Sequence, residues 1–276
     1  MADNGAIPHS TNTVKVRMFD TTTNMVVNAV SFVEPVREGH EGLSLSTVGF
    51  LIEHEGTGKK VVFDLGAKKD FWNYAPKTRA IIPRICRGLK VDQNASEILR
   101  GAGIDLSSIT SVIWSHSHWD HCGDMNTFPP TTELVVGPNW MNTFLPGYPE
   151  DPEGRQLSEW FEDRPLREIS FLAGHKIGDF QAFDFFGDGS FYLLDSPGHG
   201  VAHICGLART TPDTFIFMGG DICHFPGCFR PSPAHPLPHP IDLDVPKDSP
   251  IYGIAHGERS AYVDPERTAK DVAKLA

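Results

Sequence analysis

Short apolar runs separated by turn-forming clusters dominate the hydropathy pattern, and they predict a strand-rich chain. Val14-Lys-Val-Arg-Met-Phe19 alternates at period two, as a half-buried strand does. Ser46 to His54 and Lys60 to Asp64 read as two strands joined by the turn Glu55-Gly-Thr-Gly58. Gln93 to Ala102 carries Ala95, Ile98 and Leu99 at helical spacing and stops at Gly101 and Gly103. Ile109 to Trp114 and Thr131 to Val136 are short buried strands, the second closed by Gly137-Pro138. From Trp140 to Arg167 the density of Pro, Gly and acids predicts a long loop or a small helical insert. Strands resume at Phe180 to Phe186, Ser190 to Leu194, His203 to Leu207 and Thr214 to Met218.

Eight prolines between Pro226 and Pro250 exclude a helix or central strand there and predict an extended, lid-like loop. Asp264-Pro265-Glu266 then opens a helix through Ala269, Val272, Ala273 and Leu275, with an N-cap aspartate and Pro at its first position. Residues 1–12 are polar and expected to fray. Strands with helices between, then strands again, point to two packed sheets with helices outside.

Composition narrows the class. At 276 residues, with 40% apolar and 21% charged positions, the chain can bury a sizeable core, and we read 1–276 as one domain. The net charge of −11, with no basic run, argues against nucleic acid and against a membrane surface. No apolar stretch approaches the roughly 20 residues a bilayer needs, and the first residues lack the basic and apolar regions of a signal peptide. Five scattered cysteines without a CxxC pattern favour reduced thiols and a cytoplasmic setting. The expected partner is a small-molecule substrate, and a homo-oligomer is compatible with the sequence.

The chemistry concentrates in Ser115-His116-Ser-His118-Trp-Asp120-His121, directly after a predicted strand. Histidines two apart in extended chain aim to one side, while the adjacent Asp120 and His121 diverge and can serve a second ion. Imidazole and carboxylate are the donors zinc takes when one position is left for water. The alternative, a polar loop of solvated histidines, does not account for so dense a pattern. Asp195-Ser-Pro-Gly-His199 and Met218-Gly-Gly-Asp221 each follow an apolar strand and would deliver a histidine and a carboxylate to strand ends.

The order His-x-His-x-Asp-His, then Gly198-His199, then Gly220-Asp221 resembles the metallo-β-lactamase superfamily of four-layer αββα (α+β) hydrolases. Phe63-Asp64-Leu-Gly66 is similar to the family's Asp-x-Gly turn, and the resemblance spans roughly residues 14–275. Within the family the chain looks most like lactonase-like hydrolases and fungal relatives that open small cyclic esters or amides, lactones or lactams. The resemblance implies two zinc ions per chain, although iron or manganese would also suit such donors. It implies His116, His118 and His199 on the first ion, Asp120 and His121 on the second, and Asp221 bridging both. Asp64 and His203 would orient these ligands. A metal-bound hydroxide would attack the carbonyl, with Asp120 accepting or relaying the proton.

Departures from the family pattern set further expectations. Dinuclear members place a last histidine on a strand after the final long helix, and here that strand is expected to be missing beyond the helix at 264–275. His256, before the helix, is a weaker candidate ligand and otherwise a loop histidine, and His235 and His239 in the proline-rich loop are expected to be solvated. His224 stands where acyl-homoserine lactonases commonly carry a tyrosine. It could donate to an oxyanion, protonate a leaving nitrogen, bind metal, or simply pack under the loop. Trp72, Tyr74, Trp140, Trp160 and Phe161 are candidates for the walls of an apolar pocket or for ordinary core. Trp119 is expected to pack against the sheet, and Cys122 and Cys223 to be inert thiols. Two other readings remain open. A glyoxalase-II-like thioesterase would draw on Lys68, Lys69 and Arg84 for an acidic conjugate, and a shortened, non-catalytic member would only hold metal or ligand.

Overall fold

Val61-Val62-Phe63, Val112-Ile113 and Leu134-Val135-Val136 are buried on both faces, as strands covered from both sides must be. A computed structural model describes residues 5–172, 175–237 and 249–276. Its first elements are β1 (Lys15–Asn28), β2 (Val33–Glu34), β3 (Gly42–His54), β4 (Lys59–Phe63), α1 (Pro76–Ile85), β5 (Cys86–Val91), α2 (Ala95–Gly101) and β6 (Ile109–Ile113). Next come α3 (Trp119–Cys122), β7 (Glu133–Val136), α4 (Trp140–Phe144) and β8 (Leu166–Glu168). The second half runs β9 (Lys176–Ile177), β10 (Phe180–Asp184), β11 (Phe191–Asp195), β12 (Ile204–Thr211), β13 (Thr214–Met218), β14 (Gly253–Ile254) and α5 (Pro265–Ala273).

Seven strands form one mixed sheet in the order β5-β1-β3-β4-β6-β7-β8, and five form a second in the order β13-β12-β11-β10-β9. Alternate side chains explain the layers. Ile52, Val61, Phe63, Ile113 and Val135 of the first sheet meet Phe191, Leu193, Ile204, Ala208 and Met218 of the second between them. On the outer faces Leu51, Val62, Val112 and Leu134 join Ile82 of α1 and Leu99 of α2 in a larger cluster. Across the second sheet, Val272 of α5 is buried in that cluster, and Lys274 lies 4.4 Å over the Phe180 ring. The result is the expected αββα sandwich.

Strand directions gather the loops that matter. β4 and β6 run parallel, so their C-terminal ends share an edge. β11 and β13 each pair antiparallel with β12 and therefore point the same way. Ile204 at the start of β12 donates to the Ser115 carbonyl at 2.8 Å, tying the two sheets together beside these loops.

Several local expectations change. β1 continues past Phe19 to Asn28 through a register shift between Asp20 and Asn24, and β3 begins already at Gly42. α1 and β5 were not legible, because Pro83 interrupts the helical pattern and β5 is a mostly exposed edge carrying Arg87 and Lys90. The 140–167 stretch ends by adding β8 parallel to β7. Residues 5–12, expected to fray, are held instead: Ser10 Oγ donates to the Asp188 carbonyl at 2.7 Å, and Arg209 to the Pro8 carbonyl at 2.6 Å. Pro238, Pro240, Pro246 and His239 lie outside the described residues. No described helix is long and apolar enough to cross a membrane.

Candidate metal centre

Four strand ends deliver the cluster. After β4 the chain turns at Asp64, whose φ of 59° is a left-handed conformation that aspartate tolerates. After β6 comes the 115–121 loop, which enters helix α3 at Trp119 with His118 as its N-cap. The extended chain expected at His116 and His118 stops at His118, and the helical turn that follows places Asp120 and His121 in one donor group. After β11, Gly198 lets the backbone pass Thr268, since a Cβ there would sit 2.4 Å from its amide nitrogen. After β13, Gly220 has a φ of 51° and a Cβ site 2.9 Å from both His203 Nε2 and Ser115 Oγ, so glycine must precede Asp221.

The donors fall into two groups that share one carboxylate. His116, His118, His199 and Asp221 form the first and Asp120, His121 and Asp221 the second, with donor atoms in each group within 4.8 Å of one another. Asp221 Oδ2 lies 3.3 Å from His199 Nε2 and 3.7 Å from His116 Nε2, while Oδ1 lies 3.0 Å from His121 Nε2. His118 Nδ1 and His199 Nε2 are 2.9 Å apart, and Asp120 Oδ2 is 3.9 Å from His121 Nε2.

These donors are aimed by their neighbours. Asp64 Oδ2 is 2.8 Å from His121 Nδ1 and accepts from Ser115 Oγ at 2.7 Å, while Oδ1 accepts from the Ser115 amide. His203, fully buried, has Nδ1 2.9 Å from Ser196 Oγ, and its Nε2 accepts from the Asp221 amide at 2.9 Å. Ser117, between two of the histidines, is gripped from outside: Gln156 Nε2 donates to its carbonyl at 2.6 Å, and Trp140 Nε1 to its hydroxyl.

A cation fits this environment. His116 Nε2 is buried without a hydrogen-bond partner although it faces Asp221, an arrangement that leaves a buried polar atom unsatisfied unless something binds there. Burial pushes His118 down to about 4 and holds His116 and His199 well below the usual imidazole value, so all three are neutral and can offer a lone pair. Burial opposes charge on His121 too, but Asp221, Asp64 and Asp120 around it prevail and raise it. Asp120 is raised, chiefly by burial. On Asp221 burial is outweighed by His121 and His224, which keep it ionised.

His224 reaches the cluster's edge. Its Nε2 is 3.0 Å from Asp221 Oδ2 and its Nδ1 2.9 Å from the Tyr262 hydroxyl, and its ring packs 4.2 Å from that of Phe32. His256 is not brought to the centre: its side chain is 45% exposed, and Nδ1 pairs with Glu34 Oε1 at 3.1 Å. The Val33–Ile254 pairing of β2 with β14 holds it beside Glu34, which places it as a loop histidine, the other of its two expected roles. His235 is exposed, as expected of a solvated loop histidine.

A cavity of about 280 Å³ opens over Asp120, Asp221 and His224. Its apolar walls are Met25, Val27, Phe32, Leu45, Ile81 and Ile85. The aromatics offered as wall candidates lie elsewhere: Tyr74, Trp140, Trp160 and Phe161 are core, and Trp72 is exposed. Trp119 is buried and does line the cavity. Ser115, Ser196, Gln156 and Tyr262 were missed. The two serines could have been noticed, since each immediately adjoins a motif histidine or its turn.

The Metallo-beta-lactamase superfamily model matches residues 45–219. The chain belongs to that superfamily. It is 48% identical over 237 residues to metallo-hydrolase mfmC of Annulohypoxylon moriforme, covering 84% of this chain and 62% of that protein. It is 46% identical over 245 residues to gamma-lactamase FDB1 of Fusarium pseudograminearum, covering 85% of this chain and 59% of that one. The chain thus spans about three fifths of the length of these relatives. The fold is similar to B. thuringiensis AiiA with N-decanoyl-L-homoserine bound at its active site, with a TM-score of 0.64, 17% identity, and 96% and 88% of the two chains covered.

Proposed function

We propose that this chain is a two-metal hydrolase that opens a small cyclic ester or amide, a lactone or lactam. The observation that carries the reading is Asp221, whose two oxygens face two separate donor groups. His116, His118 and His199 would hold one ion, Asp120 and His121 the other, and Asp221 both. The imidazole and carboxylate donors suit zinc, and iron or manganese would also be accommodated. Bound there, two divalent ions supply the acidified water and the Lewis acid that carbonyl hydrolysis needs.

The protein's own side chains do the rest. Asp120, raised by burial and open to the cavity, takes up and relays a proton. His224, steadied by Tyr262, hydrogen-bonds the substrate's carbonyl oxygen or leaving group from the cavity side. Asp64 and His203 hold ligand orientation from behind. The gamma-lactamase relative supports the substrate class. A thioesterase for acidic conjugates has less support. Lys68 sits 3.9 Å from Asp124 and Lys69 3.6 Å from Glu97, and none of Lys68, Lys69 and Arg84 lines the cavity.

Elemental analysis of the purified chain, followed by γ-lactone and γ-lactam hydrolysis assays, tests the reading. About two ions per chain with turnover is the expected result. One ion or none, without turnover, would overturn it in favour of a binding role.

A further inference from the structure

Arg155 sits where the insert passes the metal centre. Gly154 before it makes a close turn, since a Cβ there would lie 2.8 Å from the Tyr148 amide nitrogen. Thr78 of α1 donates to the Arg155 carbonyl at 2.7 Å. The next residue, buried Gln156, is bonded to Ser117 between His116 and His118. The backbone of Arg155 is therefore pinned on both sides to elements that frame the cavity. Its guanidinium has no ion pair or hydrogen bond among the described residues, and it lines the cavity. No other Lys or Arg among the described residues lines that space.

Arg155 is exposed, so its guanidinium stands at the solvent-facing rim of the cavity, where an entering anion can reach it. A guanidinium presents a rigid planar fork, which matches a carboxylate with two parallel hydrogen bonds. The metal-ligand cluster lies on one side of the cavity and Arg155 on another, with Met25, Val27, Leu45 and Ile81 among the apolar side chains around the same space. A substrate held between them can present its reacting carbonyl to the cluster and a second group to Arg155.

We propose that Arg155 binds a carboxylate carried on the substrate away from the carbonyl that is opened, so that the preferred substrates are anionic lactones or lactams. This rests on the hydrolase reading above.

The test uses the zinc-loaded chain, wild type, Arg155→Met and Arg155→Lys. A benzo-fused γ-lactone bearing a ring carboxylate is compared with its methyl ester for turnover. The two ring-opened acids are compared for binding by calorimetry. Wild type is expected to favour the carboxylate about tenfold or more in kcat/KM and in Kd. The ratio should fall to about one in Arg155→Met, through KM more than kcat, and be partly restored in Arg155→Lys. A wild-type ratio near one, or a ratio that survives in Arg155→Met, overturns the proposal. Turnover of both lactones without preference leaves the hydrolase reading standing and removes Arg155. No turnover, with a calorimetric preference that Arg155→Met abolishes, does the reverse.

Discussion

Asp64 Oδ2 holds His121 by Nδ1 at 2.8 Å, and this leaves the opposite ring nitrogen 3.0 Å from Asp221 Oδ1. One carboxylate thus fixes both the tautomer and the aim of a donor on the other side of the ring. Asp64→Ala should weaken metal binding at the Asp120–His121–Asp221 group about 10- to 100-fold, read by competition with a chelator. Unaltered affinity with a lowered thermal midpoint would mean that Asp64 only braces the loops.

Asp221 faces both donor groups, so its loss should be felt twice. Asp221→Ala is expected to lower occupancy of both sites, whereas His116→Ala should strike chiefly the first. Elemental analysis of the two variants side by side would separate these outcomes. Equal losses in both would argue against a shared carboxylate.

His224 borders the cavity, packed on Phe32 and steadied by Tyr262, and it lies outside both donor groups. His224→Ala should reduce kcat by about 10²-fold while metal content holds, and Tyr262→Phe should cost less. A drop in metal content would make His224 a ligand instead.

His256 is half exposed and paired with Glu34. His256→Ala is expected to keep full metal content and to change stability by no more than about 0.5 kcal/mol. Loss of an ion on this substitution would make His256 a ligand.

Asp188 joins three segments: its carboxylate is 2.7 Å from His54 Nε2, it accepts from the Ser190 hydroxyl at 2.6 Å, and its carbonyl receives Ser10. Partial burial opposes its charge, but Ser190 and His54 outweigh this and hold the carboxyl below its usual value. A carboxylate lowered on folding stabilises above its unfolded pKa of about 3.9 and loses that contribution as pH falls through the folded value. Asp188→Asn should therefore melt below wild type at neutral pH, with the gap closing under acid. A gap independent of pH would assign the effect to packing.

Much of the fold was legible because its central strands are short apolar runs with their own turn signals, as at 60–64, 109–114 and 131–136. The long β1–β3 ribbon was only half visible. Met25 and Val27 are buried while Asn24 and Asn28 are exposed, but the polar Thr-Thr-Thr-Asn run before them breaks the period. That hidden half supplies cavity walls at Met25, Val27 and Leu45, which the sequence reading did not name.

Taken alone, the sequence determined the donors. Histidine, aspartate and glycine recur at spacings set by local backbone geometry, and their chemistry has little other use at strand ends. Only the tertiary structure decided which distant residues reach them. It brought Tyr262 to His224 and pinned Arg155 at the cavity wall, and it left His256 with Glu34. The physical reason is that such contacts depend on strand pairing and sheet packing between segments far apart in the chain, which no local spacing encodes.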